Sequence, residues 1–219
     1  MTSSSRVKKQ VRQWLARTGE ADPRELEDLP VRPVINALLG ALAHPDPERK
    51  FRAVEALGRV VAAWAQEQPE RAREIVKRLV WGLNEESGAV GFGLPEALGE
   101  IMARQPDLAR QFVNLLISYL DPAGNHLDFP PLQKGVVWAL GRVARAWPDL
   151  ARWSRVAPLL HGLLDSPDAE LRGLAAWTLA ALEPGGGWRS AIAGDQAPLS
   201  LFHRGRLVET TVAGAAGLE

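Results

Sequence analysis

The chain has 219 residues, 46% of them hydrophobic, with 26 basic and 26 acidic side chains and no net charge. A chain of this length can bury a core without covalent staples, and the balanced charge lacks the basic excess from which a nucleic-acid binder draws most of its affinity. It has no cysteine, which excludes disulfides, thiolate catalysis and cysteine-held zinc; with no apolar run near the ~18 residues of a membrane span and no h-region behind the basic start, a cytoplasmic protein without membrane contact is expected.

Residues 1–32 are expected to form N-terminal capping helices. Ser5 can start a basic helix over Arg6 to Arg17, and Asp22-Pro23 a short one to Leu29. From 33 to 183 the sequence repeats itself. Ala56-Leu57-Gly58, Ala97-Leu98-Gly99, Ala139-Leu140-Gly141 and Thr178-Leu179-Ala180 recur about forty residues apart, a spacing typical of stacked helical repeats. A second marker keeps step: Pro69-Glu70-Arg71-Ala72-Arg73, Pro106-Asp107-Leu108-Ala109-Arg110 and Pro148-Asp149-Leu150-Ala151-Arg152. Each unit reads as two helices. The first carries a run such as Val34-Ile35-Asn36-Ala37-Leu38-Leu39; the second has apolar residues at helical spacing, as in Phe51, Val54, Leu57, Val61 and Trp64. Asp46 and Asp168 stand at the same offset before the marker and are expected to cap the second helix, with Pro47 in its first turn. One such hairpin cannot bury its apolar face, but stacked copies can. The small residue of each marker would let adjacent backbones approach.

These units resemble the HEAT-repeat family over roughly residues 33 to 183. Lys50 and Arg172, each eight residues before the last residue of its marker, occupy that repeat's basic position, whereas Gly91 and Gln133 stand there in the middle units. The resemblance implies an all-α fold, a right-handed α–α superhelix of about four helical hairpins, and implies little about function. The run Trp81-Gly82-Leu83-Asn84-Glu85-Glu86-Ser87-Gly88, with Pro95-Glu96-Ala97-Leu98-Gly99-Glu100 and Pro131-Leu132-Gln133-Lys134-Gly135, looks like a family of small bacterial HEAT-like proteins of uncharacterised role.

Residues 184–219 form a C-terminal extension. Pro184-Gly185-Gly186-Gly187 breaks the helical pattern, and Pro198 to Phe202, then His203-Arg204-Gly205-Arg206, then Leu207 to Val212 read as a β-hairpin. An isolated hairpin is marginal, so it is expected to pack on the last repeat as a cap; the alternative is addition to a partner's sheet edge.

The second unit departs from its own template. A helix begun at the usual offset would enclose Gly88, Gly91, Gly93 and Pro95, at about 3 kcal/mol for the glycines and about 3 more for the proline. Either the helix starts late, near Pro95, or it is bent and tightly packed. On one reading this segment is a site built from Asn84, Glu85, Glu86, Ser87, Glu96 and Glu100, whose carboxylates have no Lys or Arg between Leu79 and Ala103 to offset them. On the other, the glycines allow close helix contact, since Gly93 and Gly135 occupy equivalent positions. The glycine run lacks the Lys-Ser/Thr of a phosphate loop. His126, near Asp121, Asn125 and Asp128, could join Glu86 in an oxygen-rich cation site, though such loops are more often only solvated; no metal or cofactor is assigned. Trp138 and Trp177 share a repeat position with Glu55 and Glu96, in a row that flanks the apolar stripe and can edge a concave surface, although tryptophans at helical spacing are more often core.

The function these features favour is a non-catalytic protein–protein interaction module. Its concave face, around the second and third repeats, would receive a protein or peptide, with Trp81, Phe92 and Trp138 as aromatic anchors and Glu85, Glu86 and Glu96 selecting a basic partner. The alternatives are an enzyme, metal-dependent or not, using the carboxylates of residues 85–100, and a nucleic-acid binder, which the neutral charge disfavours. No catalytic residue can be assigned.

Overall fold

The computed structural model describes residues 3–17, 21–84, 91–150 and 153–218, and among these the chain is helical apart from one β-hairpin. The first helix, α1 (Ser3–Leu15), begins before the cap expected at Ser5 and ends short of Arg17. Asp22 caps only a 3₁₀ turn, Pro23–Leu26. Then come helices in succession: α2 (Val31–Leu39) and α3 (Pro47–Glu67), α4 (Pro69–Asn84) and α5 (Leu94–Arg104), α6 (Pro106–Ser118) and α7 (Pro130–Ala146), α8 (Ala157–Leu163) and α9 (Ala169–Leu182). Asp46 and Asp168 open α3 and α9 as expected. Asp46 accepts from the N–H groups of Glu48 and Arg49, and Asp168 from those of Glu170 and Leu171, satisfying donors that the first turn leaves without partners.

Helices pair in sequence order, and the second members, α3, α5, α7 and α9, stack on one another. The markers explain how closely they do so. A Cβ placed on Gly58 would lie 2.5 Å from Glu100 Cγ, one on Gly99 2.4 Å from Ala139 Cβ, and one on Gly141 2.5 Å from the Trp177 ring. Carbon atoms in contact sit about 3.5–4.0 Å apart, so each inner helix occupies space that any larger residue on its neighbour would fill. The first members pack outside this stack. Arg78 of α4 donates to Asn36 of α2 at 3.0 Å, and Arg73 to Gln111 of α6 at 2.9 Å.

The irregular second unit resolves into a late start. α5 begins at Leu94, with Gly93 before it at φ +76°. A side chain there would be strained by the left-handed backbone, and its Cβ would come 2.4 Å from the Leu42 carbonyl oxygen. Gly93 is therefore a packing glycine, but it packs on the α2–α3 connection and not on a neighbouring inner helix. Gly135 leaves space for the Glu96 carboxylate, whose oxygen would be 2.6 Å from an added Cβ.

Beyond α9 lie α10 (Arg189–Ile192), β1 (Pro198–His203), β2 (Arg206–Thr211) and α11 (Val212–Ala215). The strands are antiparallel, with His203 opposite Arg206 across a two-residue turn. Leu199 seats over Gly173 of α9, so the hairpin does cover the last helix pair. It also reaches further back. The Phe202 carbonyl accepts from Trp138 Nε1 of α7 at 2.9 Å, and the Phe202 ring stacks on Phe51 of α3 with centroids 4.6 Å apart. Trp138 and Trp177 are consequently buried, at 2% and 0% exposure. The expectation that Trp138 anchors a partner is corrected: the chain's own hairpin covers it.

Two glycine substitutions test this packing by urea denaturation. Gly99→Ala should cost about 1–3 kcal/mol through overpacking. Gly162→Ala in α8, where an added Cβ meets nothing within 4 Å, should instead be neutral or stabilise by up to about 1 kcal/mol.

Candidate functional site

The acidic residues of α5 turn inward. Glu96 and Glu100 sit one helical turn apart and are only 4% and 2% exposed. An unpaired carboxylate in such a seam would be strongly destabilising, and both are paired. Lys50 of α3 binds Glu96. Glu100 is gripped by Arg104 at 2.7 Å and by two nitrogens of Arg142 from α7, at 2.8 and 3.2 Å. The counter-charges missing from the segment between Leu79 and Ala103 are thus supplied by the helices on either side and by Arg104 at the end of α5 itself. Glu96 is not available to select a basic partner, and neither Glu96 nor Glu100 is a free catalytic carboxylate. The same device continues along the stack, where Lys134 of α7 bridges to Asp168 and Glu170 at α9, at 2.8 and 2.7 Å. Of the basic positions seen in the sequence, Lys50 serves such a rung toward Glu96, whereas Arg172 pairs at 2.7 Å with Asp195 in the connection between α10 and β1.

Glu55 of α3 is less well served. Its nearest cation, Arg104, stands at 3.5 Å. Burial, together with the neighbouring Glu100 charge, holds its carboxyl above the usual carboxylate range. Arg142 shows the converse: burial works to lower it, but Glu100 outweighs that and raises it above the ordinary arginine value.

The exposed part of the candidate site is aromatic. Trp81, Phe92 and Phe129, at 70%, 40% and 43% exposure, are the exposed large hydrophobics among the described residues. All three border the break in the repeat: Trp81 near the end of α4, Phe92 just before α5, and Phe129 at the cap position of α7. The Phe92 and Phe129 rings meet edge to face with centroids 5.9 Å apart. Trp81 borders a mostly apolar groove of about 350 Å³ between outer helices, lined also by Lys77, Val80 and Asn84 of α4 and by Phe112 of α6. Asn84 accepts from the buried Tyr119 hydroxyl at 3.4 Å, which ties the ends of α4 and α6 together.

The residues proposed from sequence therefore divide. Trp81, Asn84 and Phe92 lie at the surface around the break, whereas Glu96, Glu100 and Trp138 are interior. Glu85, Glu86 and Ser87 lie outside the described residues. Sequence reasoning misses Phe112 and Phe129. Phe112 falls on the same helical stripe as Leu108, Ala109 and Val113 and reads as core. Phe129 carries a legible signal, since it immediately precedes the prolines that start α7 and so has no preceding turn to pack against. In the His126 loop the ring nitrogens lie 3.3 Å from the Leu120 carbonyl and 3.2 Å from the Gln133 amide nitrogen, and Glu86, the further residue expected there, lies outside the described residues. Among the described residues no three His, Asp or Glu side chains are grouped to hold a metal. None of the described helices is long and apolar enough to cross a membrane.

No family model matches the chain. It is similar to an uncharacterised protein of Archaeoglobus fulgidus, 36% identical over 112 residues, which are 51% of this chain and 55% of that protein. The chain thus spans a little over half the length of that relative. Among solved structures, the crystal structure of an engineered protein is 22% identical, with 85% of this chain and 83% of that one covered and a TM-score of 0.46.

Removing the cation that pairs with Glu96 and removing the charge of Glu55 itself should have opposite effects on stability. Lys50→Met leaves Glu96 buried without its ammonium and should lower the unfolding free energy by about 2 kcal/mol or more. Glu55 has a folded-state pKa above its unfolded value, so its ionisation opposes folding increasingly as the pH rises from the unfolded value and fully once it exceeds the raised one. Glu55→Gln should therefore melt no lower than the parent near neutral pH, with any gain vanishing as the pH falls below the ordinary glutamate value of about 4.3, where the carboxyl is protonated in both folded and unfolded states. Thermal melts at both pH values read the difference.

Proposed function

We propose that the protein is a non-catalytic interaction module of the HEAT-like kind, working in the cytoplasm, which seats an apolar side chain of a protein or peptide partner in the Trp81 groove. The observation that carries this reading is Trp81, 70% exposed, on the apolar groove it shares with Phe112, with the exposed Phe92 and Phe129 rings meeting edge to face beside the late start of α5. Apolar residues on a protein surface are ordinarily scattered singly, whereas tryptophan and other aromatics dominate the energetics of binding surfaces. The HEAT-like assignment is supported by the repeated markers and by helices that pair in chain order.

In this reading the partner binds on the outer side of the second and third repeats, along α4 and α6. The inner side is less suited, because the hairpin already covers Trp138 and Phe51. Selection rests on shape and on the polar rim of Lys77 and Asn84, not on Glu96, which is bound to Lys50. The enzyme reading loses support for the same reason, since Glu96 and Glu100 are each neutralised by cations from adjoining helices.

Selection from a random peptide display library on the immobilised protein tests this. Enriched peptides should carry an aromatic or long aliphatic anchor. Trp81→Ala should weaken their binding tenfold or more, about 1.4 kcal/mol, without lowering the melting temperature, because Trp81 is 70% exposed. Absence of enrichment, or enriched peptides that bind the Trp81→Ala protein equally well, would sink the proposal.

A further inference from the structure

A second open cleft, of about 580 Å³, lies where α7, α9, the hairpin turn and the C-terminal segment meet. Arg142, Arg145, Arg189, Arg204 and His203 line it, along with small apolar residues, and no acidic side chain does so among the described residues. In a chain with equal numbers of acidic and basic groups, this is a local excess of positive charge. Among these arginines the described ion pairs offset only Arg142, through Glu100.

The other guanidiniums are positioned without being neutralised by a described carboxylate. Arg145 donates to the carbonyls of Gly141, Trp177 and Leu218, at 3.2, 2.7 and 3.3 Å, and lies 3.8 Å above the Trp177 ring. Arg189 donates to the carbonyls of Pro184 and Ala216, at 3.1 and 3.0 Å. Carbonyl oxygens orient these forks but carry no net charge, and each guanidinium has five N–H groups to donate. Burial, and then the neighbouring charge of Arg142, pushes the Arg145 pKa below its ordinary value, as expected for a cation lacking an anion. Arg204 comes from the hairpin turn, in the left-handed region at φ +49° beside Gly205 at φ +81°. A two-residue turn of this shape favours Asn, Asp or Gly at that place, so an exposed arginine there is a departure from what the turn prefers. Trp177, whose ring carries Arg145 on its face and His203 at its edge, has a buried indole N–H with no acceptor among the described residues.

We propose that this cleft binds a phosphate-bearing small molecule, with the phosphate held by Arg145, Arg189 and Arg204 and the apolar part of the ligand lying against Ala180, Ala181 and Leu218. A phosphate carries close to two negative charges and three acceptor oxygens, which suits several guanidiniums lining one cleft better than a single carboxylate does. The volume falls in the range of small-molecule sites. The site uses α7, α9 and the hairpin, elements separate from those that form the Trp81 groove, so it stands independently of that reading.

Isothermal titration of the full chain with inorganic pyrophosphate, against citrate and sodium chloride at matched ionic strength, tests the proposal. Saturable pyrophosphate binding is expected, weakened tenfold or more in both Arg189→Gln and Arg204→Asn. Asparagine suits the left-handed turn position, so Arg204→Asn should melt at or above the parent temperature while losing affinity, which separates binding from folding. Because Glu219 comes directly after the cleft residue Leu218 in the chain, the titration is repeated on Glu219→Gln. The proposal is overturned by no saturable binding in either protein, by pyrophosphate binding indifferent to both arginine variants, by citrate binding as tightly, or by a DNA duplex that binds more tightly than pyrophosphate with a steep salt dependence.

Discussion

The stack of inner helices depends on the lack of room between them. At Gly58, Gly99 and Gly141 the next helix occupies the space where a side chain would stand, and the seam so formed excludes water. A dry seam dictates what else can lie in it. Any charge there must be paired and any donor must find an acceptor. Glu96 and Glu100 meet Lys50 and Arg142 from either side, and the buried Thr178 hydroxyl donates to the Val137 carbonyl at 3.0 Å. The glycines set how near the helices come, and the ion pairs set which residue lies opposite which, so the two devices together hold each unit in register with the next.

The hairpin extends the same logic to the exposed flank of the stack. Phe51, Trp138 and Trp177 would present a row of aromatic surface if nothing lay on it. Phe202 stacks on Phe51 and accepts from the Trp138 indole, and the hairpin as a whole spans from α9 back to α3. It therefore links units that are far apart in sequence, and among the described residues the large aromatic side chains most open to solvent are those around the repeat break. Two clefts among the described residues differ in chemistry as well as position. One is an apolar groove bounded by Trp81 and Phe112, on α4 and α6. The other is a cationic cleft on α7, α9 and the hairpin turn.

Features whose energetics are local are legible in the order of residues alone. Asp46 and Asp168 start helices because a side-chain oxygen two or three residues away satisfies a backbone N–H. The glycines and Pro95 delay α5 because they cannot sit inside a helix without cost. The turn at Arg204-Gly205 closes a hairpin because its residues lie between two strand-like runs. Apolar spacing likewise marks which helices have a buried stripe, and from these signals the all-α fold with a C-terminal hairpin can be read directly.

Which side chains meet across helices is settled only when the chain has folded. Glu96 looks uncompensated in sequence because its partner Lys50 stands 46 positions away, and Glu100 has one near partner, Arg104, while its second, Arg142, stands 42 positions away. Trp81 and Trp138 are the same residue at plausible helical positions, yet one is 70% exposed and the other 2%, because a hairpin some sixty residues further along the chain folds back over only one of them. Helix propensity, capping and turn formation are energies of neighbouring residues and are written in spacing. Exposure and charge pairing depend on which surfaces dock, and docking is a property of the whole chain's packing.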